Sequence, residues 1–294
     1  MTSIKQLHSH VAAEVTGIDV SEPLPDSTFA EIDAAFRRHS VLVFRDQPIT
    51  DDQQIAFSER FGELETTKVG TAGAGSKLIV LSNMDADGTV VPPSDRQVLN
   101  NRANRLWHAD SSFKAVPAKA SMLSARVIPS KGGNTEYISM RAVYAALPQS
   151  LKRAVEGKVV VHDYAYSRSK IDPTLVTDEE RAAVPPVRQA MVIDHGPDLG
   201  RSLYLGAHAA RVEGTPENDG RALIEELMDF ATQEQFVYSH IWQPHDLILW
   251  DNRAVIHRAT PFESATEKRL MVRTTIAGDA PTLAAAACPK RPTT

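Results

Sequence analysis

The stretch Leu247-Ile-Leu-Trp-Asp-Asn-Arg-Ala-Val-Ile-His257 joins an apolar run to a polar Asp-Asn-Arg break and then to a second β-branched run. Short apolar runs bounded by turn residues read as strands, so a β-hairpin is expected here, able to return the His257 side chain to a sheet interior. Comparable runs recur on either side, at residues 106–113, 120–128, 135–139, 236–242 and 270–276. Many short strands with Gly and Pro between them indicate a sandwich or jelly roll. Helical periodicity appears at residues 27–39 and 50–61, on either side of the strand-like Val41-Leu-Val-Phe44, and again at 141–156 and 221–233. Thr50 is placed to cap the second of these helices, with Asp51 and Asp52 in the first turn where negative charge suits the helix dipole. The fold class that follows is mainly β with flanking helices.

The region 62–104 is less regular. Gly70, Gly73 and Gly75 alternate with small residues, Leu78-Ile-Val-Leu81 reads as a strand, and 85–93 is rich in turn formers. Such a stretch suits either a mobile loop over a site or an inert surface loop.

With 294 residues, 42% hydrophobic and 23% charged, the chain is long enough to bury one large core. All-β folds of this length commonly remain undivided, so residues 1–283 are expected to form a single domain and 284–294 a flexible tail. A net charge of −5 without a long basic tract argues against nucleic acid or an anionic membrane as partner. The first residues lack the charged-then-apolar pattern of a secretory leader, and no run is long enough to span a bilayer, so a cytoplasmic protein is expected. Cys288, the single cysteine, has no internal partner for a disulfide and falls in the tail.

Trp107-His108-Ala109-Asp110 sets an imidazole and a carboxylate two residues apart. On a strand, alternate side chains face the same way, so His108 and Asp110 can converge on one ion. A His-x-Asp pair is common by chance and needs a third ligand, which His257 supplies. Two histidines and one carboxylate leave a face of an octahedral ion open, as expected of Fe(II) oxygenases. A bidentate oxoacid can take two of the open positions and O2 the third. The other histidines read as surface or core residues, His208 excepted.

Arg269 and Arg273 lie four apart in a segment of strand composition, so both guanidinium groups are expected on one face. Buried cations are costly unless anions meet them, and a planar guanidinium clamps a carboxylate through two parallel hydrogen bonds. The alternative places both in solvent or in salt bridges. Gly132-Gly133-Asn134-Thr135 brings a hydroxyl to the entrance of another strand, where it can add a hydrogen bond to a carboxylate held by an arginine.

Taken together, His108-x-Asp110, Gly-Gly-Asn-Thr135, Trp-Asp-Asn-Arg253, His257, Arg269 and Arg273 resemble the Fe(II)/2-oxoglutarate dioxygenases of the taurine dioxygenase group. Within that group the chain looks most like the 2,4-dichlorophenoxyacetate/2-oxoglutarate dioxygenases. The likeness lies in Ser40-Val-Leu-Val-Phe-Arg-Asp-Gln-Pro48, Leu106-Trp-His-Ala-Asp-Ser-Ser-Phe113, Ser121-Met-Leu-Ser-Ala125 and Gly206-Ala-His-Ala209. It runs from about residue 7 to 278.

The resemblance implies a double-stranded β-helix, a jelly roll of the clavaminate synthase type. It implies Fe(II) held by His108, Asp110 and His257, with 2-oxoglutarate and O2 as co-substrates. Thr135 and Arg269 would hold the distal carboxylate of 2-oxoglutarate. Arg273 would meet the carboxylate of a small substrate, with His208 and Lys68 also at substrate-binding positions. The implied reaction hydroxylates an aryloxyalkanoate such as 2,4-dichlorophenoxyacetate beside its ether oxygen, giving a phenol, a 2-oxoacid, succinate and CO2. A taurine-like sulfonate or an alkyl sulfate is the alternative substrate, and a non-catalytic metal-binding β-sandwich the alternative from another class. The chain departs from the group's pattern at Thr89, where a lysine is expected, and at Arg211, where a histidine is expected. A homo-oligomer is also expected.

Overall fold

The computed structural model describes residues 2–66, 75–92 and 94–283. Lys68, the 67–74 part of the glycine-rich loop, and the expected tail with Cys288 lie outside the described residues. The strands are β1 (Ser3–Gln6), β2 (Ala13–Thr16), β3 (Val41–Phe44), β4 (Leu78–Ser82), β5 (Ala120–Val127), β6 (Thr135–Ser139), β7 (Val159–His162), β8 (Val187–Ala190), β9 (Val192–Asp194), β10 (Arg201–Leu203), β11 (Ala209–Val212), β12 (Val237–His240), β13 (Leu247–Asp251), β14 (Val255–Ala259) and β15 (Leu270–Ile276). The helices are α1 (Asp26–His39), α2 (Asp51–Glu59), α3 (Arg96–Arg102), α4 (Met140–Ala146), α5 (Gln149–Val155), α6 (Tyr164–Ser169), α7 (Asp178–Ala183) and α8 (Glu217–Ala231). No helix among the described residues is long and apolar enough to cross a membrane.

A seven-stranded sheet runs β1-β2-β3-β13-β5-β15-β4, and a three-stranded sheet runs β12-β6-β14. Alternation along the strands assigns their faces. Val41, Val43, Leu123, Ala125, Ile248, Trp250 and Met271 of the large sheet meet Tyr137 and Val255 of the small one in one core. The opposite face of the large sheet, through Leu42, Phe44, Met122, Leu247 and Leu249, packs on α1 and α2. The outer face of the small sheet, through Ile138 and Ile256, packs on α4, α5 and α8. Two sheets enclosing a shared core, with helices outside, make the expected jelly roll. Thr50 caps α2 as anticipated, in a reciprocal capping box with Gln53.

Three local expectations are corrected. Residues 247–257 do not form a hairpin: β13 already has both edges taken, by β3 and β5, so β14 pairs with β6 in the other sheet. The Asp-Asn-Arg break therefore carries the chain across a corner between sheets. Residues 106–113 are not a strand. His108 makes an isolated bridge to His257, and the chain then turns with Ser111 at φ 53°. Residues 141–156 split into α4 and α5 because Pro148 forces Leu147 out of the helical region, at ψ 140°. Helix α3 and strands β7 to β11 had no counterpart in the sequence reading.

The end of β15 is packed tightly against the lead-in to β5. A Cβ on Gly278 would stand 2.0 Å from the carbonyl oxygen of Pro117, a backbone atom that cannot swing aside. Gly278→Ala is expected to destabilise the protein by about 1–3 kcal/mol, as overpacking typically does, and thermal unfolding should show a lower midpoint. An unchanged midpoint would mean that this contact is slack.

Candidate active site

The bridge between His108 and His257 consists of two backbone hydrogen bonds, His108 N to His257 O at 3.0 Å and His257 N to His108 O at 2.9 Å. It fixes the imidazole centroids 4.2 Å apart, between the two sheets. The Nδ1–H of His108 donates to the Leu106 carbonyl at 2.7 Å, which leaves its Nε2 with a free lone pair. The turn after His108 swings Asp110 to face both rings, with His108 Nε2 and His257 Nε2 each 3.8 Å from a different carboxylate oxygen. One ligand atom from each of the three residues lies within 4.8 Å of the others, and all three residues are buried. The expected trio is therefore brought together, through a bridge and a turn instead of strand alternation.

Asp110 is held by a directional chain of hydrogen bonds. Trp250 Nε1 (2.9 Å) and the backbone N–H of Asp110 (3.1 Å) both donate to Asn252 Oδ1. The Asn252 amide group donates to Ser121 Oγ at 2.9 Å, and that hydroxyl donates to Asp110 Oδ2 at 2.7 Å. Arg273 Nη1 donates to Asp110 Oδ1. Burial alone would push the Asp110 carboxyl up, but Arg273, both imidazoles and Ser121 outweigh it and hold the group well below the usual carboxylate range. Burial pushes His108 and His257 down, helped at His257 by the neighbouring His108 and at both by Arg273. The site at neutral pH thus presents one carboxylate and two neutral imidazoles, the protonation states a divalent cation requires. This donor set fits an octahedral metal with open positions.

Arg269, Met271 and Arg273 alternate along one edge of the space between the sheets. Burial lowers the pKa of Arg269 to about 10, and Tyr137 opposes that shift. Its backbone is anchored by Asn83, whose Oδ1 accepts from Arg269 N at 2.8 Å. Among the described residues no carboxylate pairs with its guanidinium. Thr135, 3% exposed, accepts from Trp242 Nε1 at 3.0 Å, so its own hydroxyl hydrogen is left to donate elsewhere. Arg273 pairs with Asp110, yet its Nε is buried without a partner.

His208 closes another side, its ring 4.9 Å from Phe113 and 6.4 Å from His108. Ser112 Oγ lies 3.1 Å from His208 Nδ1 and 3.0 Å from His162 Nδ1. Burial pushes both imidazoles down, His162 to about 4 and His208 well below its ordinary value, so both are neutral. One hydroxyl can donate to only one of two Nδ1 atoms and must accept from the other, so these two histidines carry opposite tautomers. Arg211 lies exposed on β11, away from this wall.

Sequence reasoning missed Ser121, Asn252, Ser112 and His162. Ser121 and Asn252 stood inside segments already marked by composition, but a serine or asparagine carries no pattern that announces a partner far along the chain.

Comparison with known proteins gives a consistent result. The model of the family described as taurine catabolism dioxygenase TauD, TfdA family matches residues 3–275. The chain is 42% identical over 275 residues to the alpha-ketoglutarate-dependent 2,4-dichlorophenoxyacetate dioxygenase of Cupriavidus pinatubonensis, covering 92% of this chain and 96% of that one. It is 37% identical over 284 residues to the (S)-phenoxypropionate/alpha-ketoglutarate-dioxygenase of Sphingobium herbicidovorans, covering 94% and 95%. The crystal structure of AAD-2 in complex with Mn(II) and N-oxalylglycine superposes with a TM-score of 0.89 at 41% identity, covering 97% of this chain and all of that one.

Asp110→Ala is expected to abolish tight Mn(II) binding, measured by calorimetry on metal-free protein, while Asp251→Ala leaves it intact. Tight binding by the Asp110 variant would remove this residue from the donor set. A second expectation concerns pH. An unfolded histidine titrates near 6.5, so below that value the unfolded chain takes up protons that the buried His162, His208 and His257 refuse. Stability of the metal-free protein should therefore fall as pH drops from 7 toward 4, and His162→Gln should flatten the slope of melting temperature against pH. A rising slope would contradict the neutral assignment.

Proposed function

Because the chain belongs to the TauD/TfdA family and is an Fe(II)- and 2-oxoglutarate-dependent dioxygenase, we propose that it hydroxylates a small aryloxyalkanoate, of which 2,4-dichlorophenoxyacetate is the representative. The observation that carries the co-substrate side of this reading is a pair of unspent donors. Among the described residues Arg269 has no counter-ion, and the Thr135 oxygen already accepts from Trp242, leaving its hydrogen to donate. On the substrate side, support comes from relatives whose names specify a dichlorophenoxyacetate and a phenoxypropionate.

In this reading His108, Asp110 and His257 hold the iron. Bound there with 2-oxoglutarate and O2, the metal supplies an oxidant that converts a substrate C–H to C–OH as 2-oxoglutarate becomes succinate and CO2. Arg269 and Thr135 clamp the distal carboxylate of 2-oxoglutarate through charge-assisted hydrogen bonds. Arg273 receives the substrate carboxylate at its unpartnered Nε while Nη1 keeps Asp110 oriented. Lys68 is retained as a further substrate-binding residue on the resemblance alone. The rings of Phe113, Tyr164 and His208 form an aromatic wall, with centroids 5.0 and 4.9 Å apart, suited to an aryl group. The chain's own contribution is positioning and exclusion of water.

Hydroxylation of the carbon beside the ether oxygen gives a hemiacetal. The hydroxyl proton passes to solvent, the bond between that carbon and the ether oxygen breaks, and its electron pair leaves on the aryloxide, which takes up a proton to give the phenol while the carbon becomes the carbonyl of a 2-oxoacid. Residues 1–283 are taken as one catalytic domain, acting in the cytoplasm as a homo-oligomer.

Anaerobic reconstitution with Fe(II), followed by exposure to O2 with a panel of aryloxyalkanoates, sulfonates and alkyl sulfates, tests the reading. Succinate and phenol should appear in equal amounts with an aryloxyalkanoate. Turnover only with sulfonates or sulfates would transfer the assignment to that class, and no 2-oxoglutarate decarboxylation with any substrate would end it. Arg273→Lys should raise KM for the carboxylate substrate by roughly tenfold or more, since a planar fork is replaced by a point charge, with KM for 2-oxoglutarate little changed.

A further inference from the structure

Tyr137 has a place in this site that none of the assignments above uses. It stands on β6 two residues beyond Thr135, so both side chains leave the same face of the strand. Its Cα neighbours across the sheet are His257 on β14 and Tyr238 on β12. The ring is stacked against both, at 6.0 Å and 21° to His257 and at 6.4 Å and 28° to Tyr238, and it packs 5.7 Å from Trp250. A side chain wedged in this way has its hydroxyl position fixed.

That hydroxyl is fully buried, and among the described residues it meets no partner in good hydrogen-bond geometry, with Thr135 its nearest polar neighbour. A buried phenol without a partner is costly, and most native tyrosines avoid it. Its surroundings say what is missing. Thr135 and Arg269 are its polar neighbours. Gly133, on the same approach to β6, would bring a Cβ within 3.5 Å of Arg269 Nε, so the guanidinium runs alongside this strand. Three groups able to donate therefore gather with no anion among them: the guanidinium of Arg269, the hydroxyl of Thr135, whose oxygen already accepts from Trp242, and the hydroxyl of Tyr137. A carboxylate has lone pairs for all three.

We infer that the Tyr137 hydroxyl is a third ligand of the distal carboxylate of 2-oxoglutarate, donating beside Arg269 and Thr135. This rests on the proposed function, because it presumes that 2-oxoglutarate lies with its keto acid end at the metal and its far end here. Stacking on His257 also ties Tyr137 to the metal-ligand end of the co-substrate's seat. It reads chain length: a 2-oxoacid without the second carboxylate leaves its hydroxyl, like the guanidinium, unsatisfied.

The test is Tyr137→Phe, which removes one oxygen and keeps the stacked ring. Binding is measured anaerobically by calorimetry on the Mn(II)-loaded protein, with 2-oxoglutarate and with 2-oxohexanoate, which carries an ethyl group in place of the distal carboxylate. Loss of a hydrogen bond to a charged group should weaken 2-oxoglutarate about tenfold or more, with 2-oxohexanoate unchanged. The ligand-free variant should melt no lower than the parent, because the hydroxyl has no hydrogen bond in good geometry to lose. Equal affinity of variant and parent for 2-oxoglutarate, an equal loss for both oxoacids, or a markedly lower melting point would each overturn the assignment. If the parent itself does not prefer 2-oxoglutarate over 2-oxohexanoate, the underlying reading fails first and this one with it.

Discussion

Everything in the site depends on two backbone hydrogen bonds, those that pin His108 to His257. Only one of the two residues stands on a strand. His108 lies in a loop, and His257 sits on a strand of the smaller sheet. The bridge joins them at one fixed separation, and the left-handed turn at Ser111 then sends the chain back so that Asp110 faces both rings. The fold keeps this arrangement rigid by burying it. Burial has a cost, because an ionised carboxylate inside a protein must be compensated fully. Arg273 and Ser121 provide that compensation, and Asn252 orients Ser121 while accepting from Asp110's own backbone. Breaking a buried pair of this kind usually costs about 3–5 kcal/mol, so the residues around the carboxylate are held as firmly as the carboxylate itself.

The two arginines of β15 and its approach show how the same chemistry serves two ends. Arg273 meets an acid supplied by the chain, and among the described residues Arg269 meets none. A protein selected for stability alone would not bury an unpaired guanidinium beside an unpaired phenol and a threonine with a free hydrogen. Their common lack of an anionic partner is a stored preference for an anion, and it makes the empty site less stable than the filled one.

Much of this architecture was legible before any coordinates. Val41-Leu-Val-Phe44, 135–139 and 270–276 announce themselves as strands through β-branched and aromatic content, and Thr50 announces a helix start through its own hydroxyl. The metal trio was legible because ligand chemistry restricts the choice to few residue types. What escaped was decided by partners distant in sequence. The composition of 106–113 mimics a strand, but the segment meets the open edge of β14 only at His257, through a single bridge, before the chain turns at Ser111. The break at 251–253 looks like a hairpin turn until β3 and β5 are seen to occupy both edges of β13. The short strands β7 to β11 are interleaved with α6 and α7, so no window is long enough for periodicity to separate them. Ser121 and Asn252 are ordinary residues made functional only by what lies across the core.

Charge balance ties the site to the kind of molecule it takes. Asp110 contributes one negative charge, held ionised by its neighbours, and Arg269 and Arg273 contribute two positive ones, while the imidazoles contribute none. A divalent metal raises the total to three positive charges in a buried space, where net charge is expensive. 2-Oxoglutarate removes two of them. The remaining one calls for a monoanionic substrate, and a neutral molecule of the same shape would leave the site charged. An aryloxyalkanoate meets this condition, as a sulfonate or sulfate does, so the anion is set by electrostatics and the choice among anions falls to shape. In the described residues that shape is the aromatic wall of Phe113, Tyr164 and His208, which complements a flat ring better than the short alkyl chain of a taurine-like substrate.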